Sequence, residues 1–301
     1  MRFAKGHGTG NDFLILPDPG DALALPPGLV AGLCDRRAGL GADGILRAVR
    51  VPAAGRAAPE GCVAAEWFMD YRNADGSIAE MCGNGIRVFA RYLLGHGLLD
   101  GPEFAVATRA GRRKVRAEPG GEITVDMGAP VVLGRSVAAI GSRREEGLEV
   151  SLGNPHLACV VDRPVAEFDL SAPPVVDRQR FPDGANVEVV RVTGDRQLEM
   201  RVHERGSGVT LSCGTGAVAA AVAAAADGAG EQAQPRGGPA ERAGTAFPAG
   251  TWIVRVPGGT LTVTLTGTTS LLTGPAVIVA EGELDEAWLA ALTSGAAPAM
   301  T

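Results

Sequence analysis

Short runs in which apolar and polar residues alternate recur along the chain, and each predicts a strand with one buried face. A short opening strand leads through Lys5 to Phe13 into the apolar run Phe13 to Leu16, and further strands are expected at Ile45 to Val51, Trp67 to Arg72, Phe104 to Thr108, Lys114 to Ala117 and Ile123 to Met127. The series continues at Leu148 to Leu152, Leu157 to Val161, Val187 to Val192 and Leu198 to Val202. Trp252 to Val256 and Leu261 to Leu265, joined by Pro257-Gly258-Gly259, predict a hairpin, and Ala276 to Ala280 a last strand.

Two segments change to a helical period. Ile86, Phe89, Ala90, Leu93 and Leu94 form one apolar face, whereas Ala217 to Ala226 is Ala and Val on every side and predicts a helix buried all round. Pro27 to Arg37 and Leu284 to Leu292 read as shorter helices. Pro52 to Gly61 reads as a surface loop, and Asp227 to Gly250, rich in Gly, Ala, Pro and Gln without periodicity, as a flexible insertion. A seam between two halves is expected near Glu118 to Glu122.

Each of the two main helices follows the same signature, Cys82-Gly83-Asn84-Gly85 in one half and Cys213-Gly214-Thr215-Gly216 in the other. A cysteine so placed sits at a helix N-terminus, where unpaired N–H groups and the positive dipole end favour a thiolate and bind a carboxylate. One copy alone reads equally well as a tight turn beside an inert core thiol. Two copies in opposite halves suggest two thiols facing a common cleft. Such a pair suits proton transfer at a carbon next to a carboxylate: one thiolate removes the α-proton and the other thiol returns a proton to the opposite face. Backbone N–H groups would stabilise the charge that develops, and excluding water would strengthen them. The expected chemistry is a cofactor-independent racemase or epimerase.

The composition narrows the rest. The chain has 301 residues, enough for two domains, and a net charge of −6 without a stripe of Lys and Arg, so no nucleic-acid partner is expected. The densest basic run, Arg109 to Arg116, reads as a solvated strand pair. No run of eighteen apolar residues and no signal peptide is present, so no membrane partner and a cytoplasmic location are expected. Five cysteines without a C-x-x-C pair argue against a disulfide framework and a zinc site, and Cys34, Cys62 and Cys159 read as ordinary packing residues. No lysine motif for pyridoxal and no metal-ligand cluster competes with the thiols. The glycines of Lys5 to Phe13 are followed by no helix, so a dinucleotide loop is excluded; they bring the backbone close to something, with Asn11 at that approach and His7 structural.

Taken together, Lys5 to Phe13, Asn73 to Arg87, Gly153 to His156, Asn186 and His203 to Gly216 resemble the diaminopimelate epimerase family along nearly the whole length. The resemblance implies an α+β fold of two pseudo-symmetric domains, each a curled, mainly antiparallel sheet around a central helix. Residues 1–118 with 272–301 would form the domain carrying Cys82, and 119–271 the domain carrying Cys213. It implies conversion of LL-diaminopimelate to the meso form, on the route to lysine and peptidoglycan precursors, with Cys82 and Cys213 as acid and base. The backbone at Gly83, Asn84, Gly214 and Thr215 would hold the reacting carboxylate. Asn11, Asn73, Asn154, Asn186, Glu204 and Arg205 would bind the amines and the distal carboxylate, and His156 would support the thiols. No cofactor or metal is implied; the partner is a small-molecule substrate, and the oligomeric state stays open, a homodimer included.

Three features depart from the family pattern. Gly44 stands where many members carry Gln, Val209 stands where Glu is common, and the segment from Asp227 to Gly250 is long. Competing readings are a racemase of another amino acid, such as a proline racemase-like enzyme, a thiol hydrolase with Cys82 as nucleophile, and a module that binds an amino acid without turnover. The four groups Asn73, Asn154, Asn186 and Arg205 favour a substrate with a second amino-acid head.

Overall fold

In the computed structural model, which describes residues 1–64, 66–228 and 247–294, the chain opens as β1 (Arg2–Gly8) and β2 (Asn11–Pro17). The two are joined by Thr9 and Gly10, whose φ values of 51° and 82° give the twist that a two-residue hairpin turn needs. Then follow α1 (Pro27–Cys34), β3 (Gly44–Arg50), α2 (Val51–Ala54), β4 (Trp67–Asn73), β5 (Ile78–Ala79), α3 (Gly83–Gly95), β6 (Glu103–Thr108) and β7 (Gly111–Ala117). The second half runs β8 (Ile123–Gly128), β9 (Val131–Ile140), β10 (Arg143–Ser151), β11 (Pro155–Val160), β12 (Asn186–Gly194), β13 (Gln197–Glu204) and β14 (Gly208–Thr210). After α4 (Gly214–Gly228) come β15 (Gly250–Val256), β16 (Gly259–Leu265) and β17 (Ser270–Gly274), and finally β18 (Val277–Glu283) and α5 (Glu286–Ser294).

Two units result, Met1–Ile123 with the stretch from Pro275 onward, and Thr124–Gly274. In the first, the strands lie in the order β18-β1-β2-β3-β4-β6-β7, with β2–β3 and β4–β6 parallel and the other pairs antiparallel. Helix α3 packs on β1, β2, β3, β4 and β18, so it is the element this sheet surrounds. Ile86, Phe89, Ala90 and Leu93 are fully buried on it, as the pattern predicts, while Leu94 is only half-buried. At roughly 1.5–3 kcal/mol per large apolar side chain, that face accounts for the helix forming despite two glycines in its first turn.

In the second unit the order is β9-β10-β11-β12-β13-β15-β16-β17, with β11–β12 and β13–β15 parallel, β14 added to β13, and β8 beside β17. Helix α4 touches strands from β10 to β17. From Gly214 to Ala225 every residue is buried. Alanine has the best helix propensity and no side-chain entropy to lose, and its small size lets strands approach from all sides.

The short strands β5, β14 and β17 were not expected, and three further features differ from expectation. β9 and the first half of β10 form a hairpin that the sequence pattern hides, because its residues alternate between exposed and half-buried and include Arg143, Arg144, Glu145 and Glu146. A short helix, α2, begins where a surface loop was expected, with Pro52 at its first turn. The run Arg109 to Arg116 is only partly solvated. Arg109 turns inward to the fully buried Asp70 at 2.7 Å, which also pairs with Arg47 and Arg72, while Arg112 pairs with Glu66. A carboxylate with no exposure needs several cations around it, and the basic run supplies one of three. Within the segment Asp227 to Gly250, residues 229–246 lie outside the described residues.

Candidate functional site

In the first unit, Cys82 has extended backbone (φ −142°, ψ 122°) and caps α3: its Sγ accepts the N–H of Gly85 at 3.4 Å, and its carbonyl accepts the N–H of Ile86. Beside it, Asn11 donates Nδ2 to Asp43 Oδ2 at 2.6 Å. That bond fixes which end of the amide is which, so Asn11 Oδ1 faces the site, 3.7 Å from Cys82 Sγ and 3.3 Å from Asn84 Nδ2. Asn84 Oδ1 in turn accepts Arg87 Nη2 at 3.0 Å. Asn11, Cys82, Gly83 and Asn84 therefore form one connected group.

Arg87 is the group the sequence reading missed. It lies on α3 with no exposure, and its guanidinium also reaches Thr9 Oγ1 (3.2 Å) and the carbonyls of Gly83 and Pro275. Burial pulls it down to about 10, against the opposing pull of Cys82 and Glu122. The available signal was a charged residue set between Ile86 and Val88 at the start of an apolar helical run. It also explains the glycines before Asn11: a Cβ on Gly8 would lie 3.1 Å from Arg87 Nη2 and 3.2 Å from the Asn84 carbonyl. The backbone they bring close is that of the helix start, and His7 Nδ1 only accepts the N–H of Gly10 across the turn.

In the second unit, Cys213 Sγ accepts the N–H of Gly216 at 3.4 Å and lies 3.5 Å from Thr215 Oγ1, which accepts Asn154 Nδ2 at 3.3 Å. The same signature therefore produces the same local bond in both units. The surroundings differ. Burial, then the Glu204 and Glu188 carboxylates, push the Cys213 thiol well above its ordinary range, outweighing the bonds from Thr215 and Gly216. Glu204, at the end of β13, accepts the hydroxyl of Thr210 and bonds Cys213; burial raises its carboxyl and those bonds only partly compensate. Glu188 was not singled out in the sequence, where a lone Glu in an apolar strand looks like a solvated position. It is fully buried, with Oε1 2.7 Å from His156 Nδ1, and His156 is fully buried as well.

Asn186 bridges two loops, donating to the carbonyl of Pro155 (3.1 Å) and accepting the backbone N–H of Arg205 (2.9 Å). The Arg205 side chain is exposed and makes no ion pair among the described residues, which leaves its guanidinium available to an anion. Asn73 is placed otherwise: its Nδ2 donates to Ser77 Oγ at 2.9 Å, inside the turn that precedes Cys82. Gly44 sits opposite Asn73, and a Cβ there would lie 2.4 Å from the Arg72 carbonyl, so this chain's β3–β4 pairing requires glycine where Gln was noted in the family. Val209 is exposed on β14 and pairs through its backbone with His203.

The remaining thiols behave as packing residues. Burial pushes Cys34 and Cys159 up to about 12, and raises the Cys62 thiol too. Among the described residues no group of His, Cys, Asp or Glu is placed to hold a metal, and no helix is long and apolar enough to cross a membrane.

The family model for diaminopimelate epimerase matches residues 3–133 and again 149–279. The diaminopimelate epimerase of Thermobifida fusca is 56% identical over 290 residues, covering 94% of this chain and 98% of that protein. That of Mycolicibacterium smegmatis is 51% identical over 304 residues, covering 96% and 98%. Among solved structures, a PhzF-family phenazine biosynthesis protein from Bacillus anthracis aligns with a TM-score of 0.63 at 15% identity, over 95% of this chain and 99% of that one. A hydroxyproline epimerase from Agrobacterium vitis with bound trans-4-hydroxy-L-proline aligns at 0.61 and 15% identity, over 97% and 98%. At such identities the structural likeness shows the fold alone: two repeated α+β units built around central helices.

Proposed function

This chain belongs to the diaminopimelate epimerase family, a family of isomerases, and from that premise we propose that it interconverts LL- and meso-diaminopimelate with Cys82 and Cys213 as its acid/base pair. One thiolate removes the α-proton, and the other thiol returns a proton to the opposite face of the carbanion. The observation that carries the reading is the duplicated cap: in each unit a cysteine Sγ accepts the N–H three residues on, at 3.4 Å, at the start of a buried helix. Each cap leaves the neighbouring helix-start N–H groups to hold the carboxylate on which charge develops.

The domain carrying Cys82 supplies Asn11, Asn73, Gly83 and Asn84; the domain carrying Cys213 supplies Asn154, Asn186, Glu204, Arg205, Gly214 and Thr215, with His156 in support. Arg205, exposed and without an anion, suits the distal carboxylate. No cofactor takes part, and the enzyme works in the cytoplasm on the route to lysine and peptidoglycan precursors.

The test is α-hydrogen exchange in deuterium oxide, followed by NMR under reducing conditions, with LL-diaminopimelate and the wild type, Cys82→Ala and Cys213→Ala proteins. Incorporation of deuterium with formation of the meso isomer, lost in both variants, is the expected result. A folded wild type that exchanges nothing rejects the substrate, and proline-like amino acids become the next candidates.

A further inference from the structure

We propose that Glu188 is a positioning residue of the reaction centre that acts through His156: it holds the imidazole proton on Nδ1 and so keeps Nε2 as the accepting atom. The inference rests on the epimerase reading above. β11 and β12 run parallel, with His156 beside Asn186 and Ala158 beside Glu188. Side chains two apart on a strand share a face, so His156, Asn186 and Glu188 all rise from one side, and α4 packs on both strands.

Three further observations assign Glu188 more than a packing role. First, carboxylate and imidazole meet at 2.7 Å with neither exposed. Burying a charged group is unfavourable unless it is paired, so a position needed only for packing is better filled by an apolar residue. Second, the carboxylate occupies space left for it: a Cβ on Gly216 would lie 2.7 Å from Glu188 Oε1, so the motif's last glycine admits the oxygen that holds His156. Third, His156 Nε2 is buried and has no hydrogen-bond partner among the described residues, as is also true of Glu188 Oε2. Buried polar atoms nearly always have partners, and a single unpaired imidazole nitrogen next to an oriented one marks a group kept for a transient partner.

Which nitrogen carries the proton is set by the bond the other makes. A carboxylate at Nδ1 fixes the tautomer and raises the basicity of the ring. The other titratable groups whose charges act on Glu188 or on which it acts are Cys213 and Glu204 beside the helix start and Cys159 on β11. Among the described residues none of these bonds the His156 ring, so the orienting role falls to Glu188.

The test compares wild type and Glu188→Gln in the full chain, with 15N NMR of the histidine ring and steady-state kinetics on diaminopimelate. The isosteric amide can donate as well as accept, so the tautomer is no longer fixed. Expected are Nδ1 protonation of neutral His156 in the wild type and mixed tautomers in the variant. The kcat should fall by about 10-fold, as when a histidine-orienting partner is lost, to about 10⁴-fold, as when the tautomer is wrong, with KM little changed. If the Gln variant does not fold, Gly216→Ala displaces the same carboxylate and should give the same ring signature. A folded variant with wild-type tautomer and kcat overturns the proposal, as does a wild-type His156 protonated on Nε2. The ring signature needs no substrate, so a wild type with Nδ1 fixed but no epimerisation would overturn the function instead.

Discussion

Gly85 and Gly216 hold the same place in the repeated signature, yet alanine should be tolerated at one and not at the other. In a helix, Ala is favoured over Gly by at most about 0.5–1 kcal/mol. On Gly85 a Cβ would meet Leu46 Cδ2 at 3.3 Å and Cys82 Cβ at 3.4 Å, contacts that a flexible leucine end relieves by moving a few tenths of an ångström. Gly85→Ala should therefore range from neutral to about 1 kcal/mol more stable. On Gly216 the Cβ would lie 2.7 Å from Glu188 Oε1 and 3.1 Å from Cys213 Cβ, and the carboxylate has no exposure and is tied to His156. Forcing it aside weakens a charge-assisted bond of about 1.5–3 kcal/mol. With the helix gain subtracted, Gly216→Ala should lose about 0.5–2.5 kcal/mol, or some 1–10 °C in Tm at about 2–4 °C per kcal/mol. Urea and thermal unfolding of the reduced full chain read the stability, and α-hydrogen exchange reads the activity, which should fall at least 10-fold for Gly216→Ala. A Gly216→Ala protein as stable as wild type, or a Gly85→Ala protein that loses more than it, refutes the reasoning.

Other outcomes follow from single contacts. Asp43→Asn lets the new amide donate toward Asn11, whose orientation rests on the 2.6 Å bond; kcat/KM should fall by about 10- to 100-fold, the worth of one charged hydrogen bond, with unfolding little affected. Arg87→Met removes the guanidinium bonds to Thr9, Asn84 and Gly83 and should cost about 2–4 kcal/mol by denaturant unfolding, while pH-dependent alkylation of Cys82 moves to higher pH for want of the cation. The thiols of Cys34 and Cys159 titrate near 9 in the unfolded chain and near 12 when folded. A raised folded value means stability that is full below pH 9 and lost as pH rises through 12, up to about 4 kcal/mol per thiol; Cys159→Ala should flatten that alkaline loss.

The duplicated signature was legible because it combines two local rules, a helix period and a turn of small residues, and neither depends on distant partners. The two central helices followed from it, α3 by its single apolar face and α4 by having no polar face at all. The β9–β10 hairpin was not legible: with its residues half-exposed, alternation carries little apolar contrast, and pairing alone decides. Arg87 and Glu188 were missed for a related reason. A charge in an apolar run suggests a solvated edge, whereas these two are held inside by Thr9, Asn84 and His156, residues 78, 3 and 32 positions away in the chain. The bond from Asn73 Nδ2 to Ser77 Oγ, four residues on, is likewise a contact that the motif alone does not announce.

A two-base mechanism needs the thiols to differ, because two thiolates cannot return a proton and two thiols cannot remove one. The repeated cap by itself would make them alike, with the same N–H bond and the same dipole end. What separates them is the neighbourhood each unit supplies. Around Cys82 are the carbonyl oxygen of Asn11, which accepts its S–H, and the buried cation Arg87, whose charge attracts that of a thiolate. Around Cys213 are the carboxylates of Glu204 and the buried Glu188, which with burial hold it as a thiol well above the ordinary range. On the proposed two-thiol mechanism, the raised Cys213 is the resting acid, which leaves the role of base to Cys82. At neutral pH a limiting amount of alkylating agent should then modify Cys82 first, read by peptide mass spectrometry, and Glu204→Gln together with Glu188→Gln should narrow the preference by removing both anions beside Cys213. Preferential labelling of Cys213 in the wild type would show that the helix start outweighs the carboxylates, and the assignment of roles would reverse.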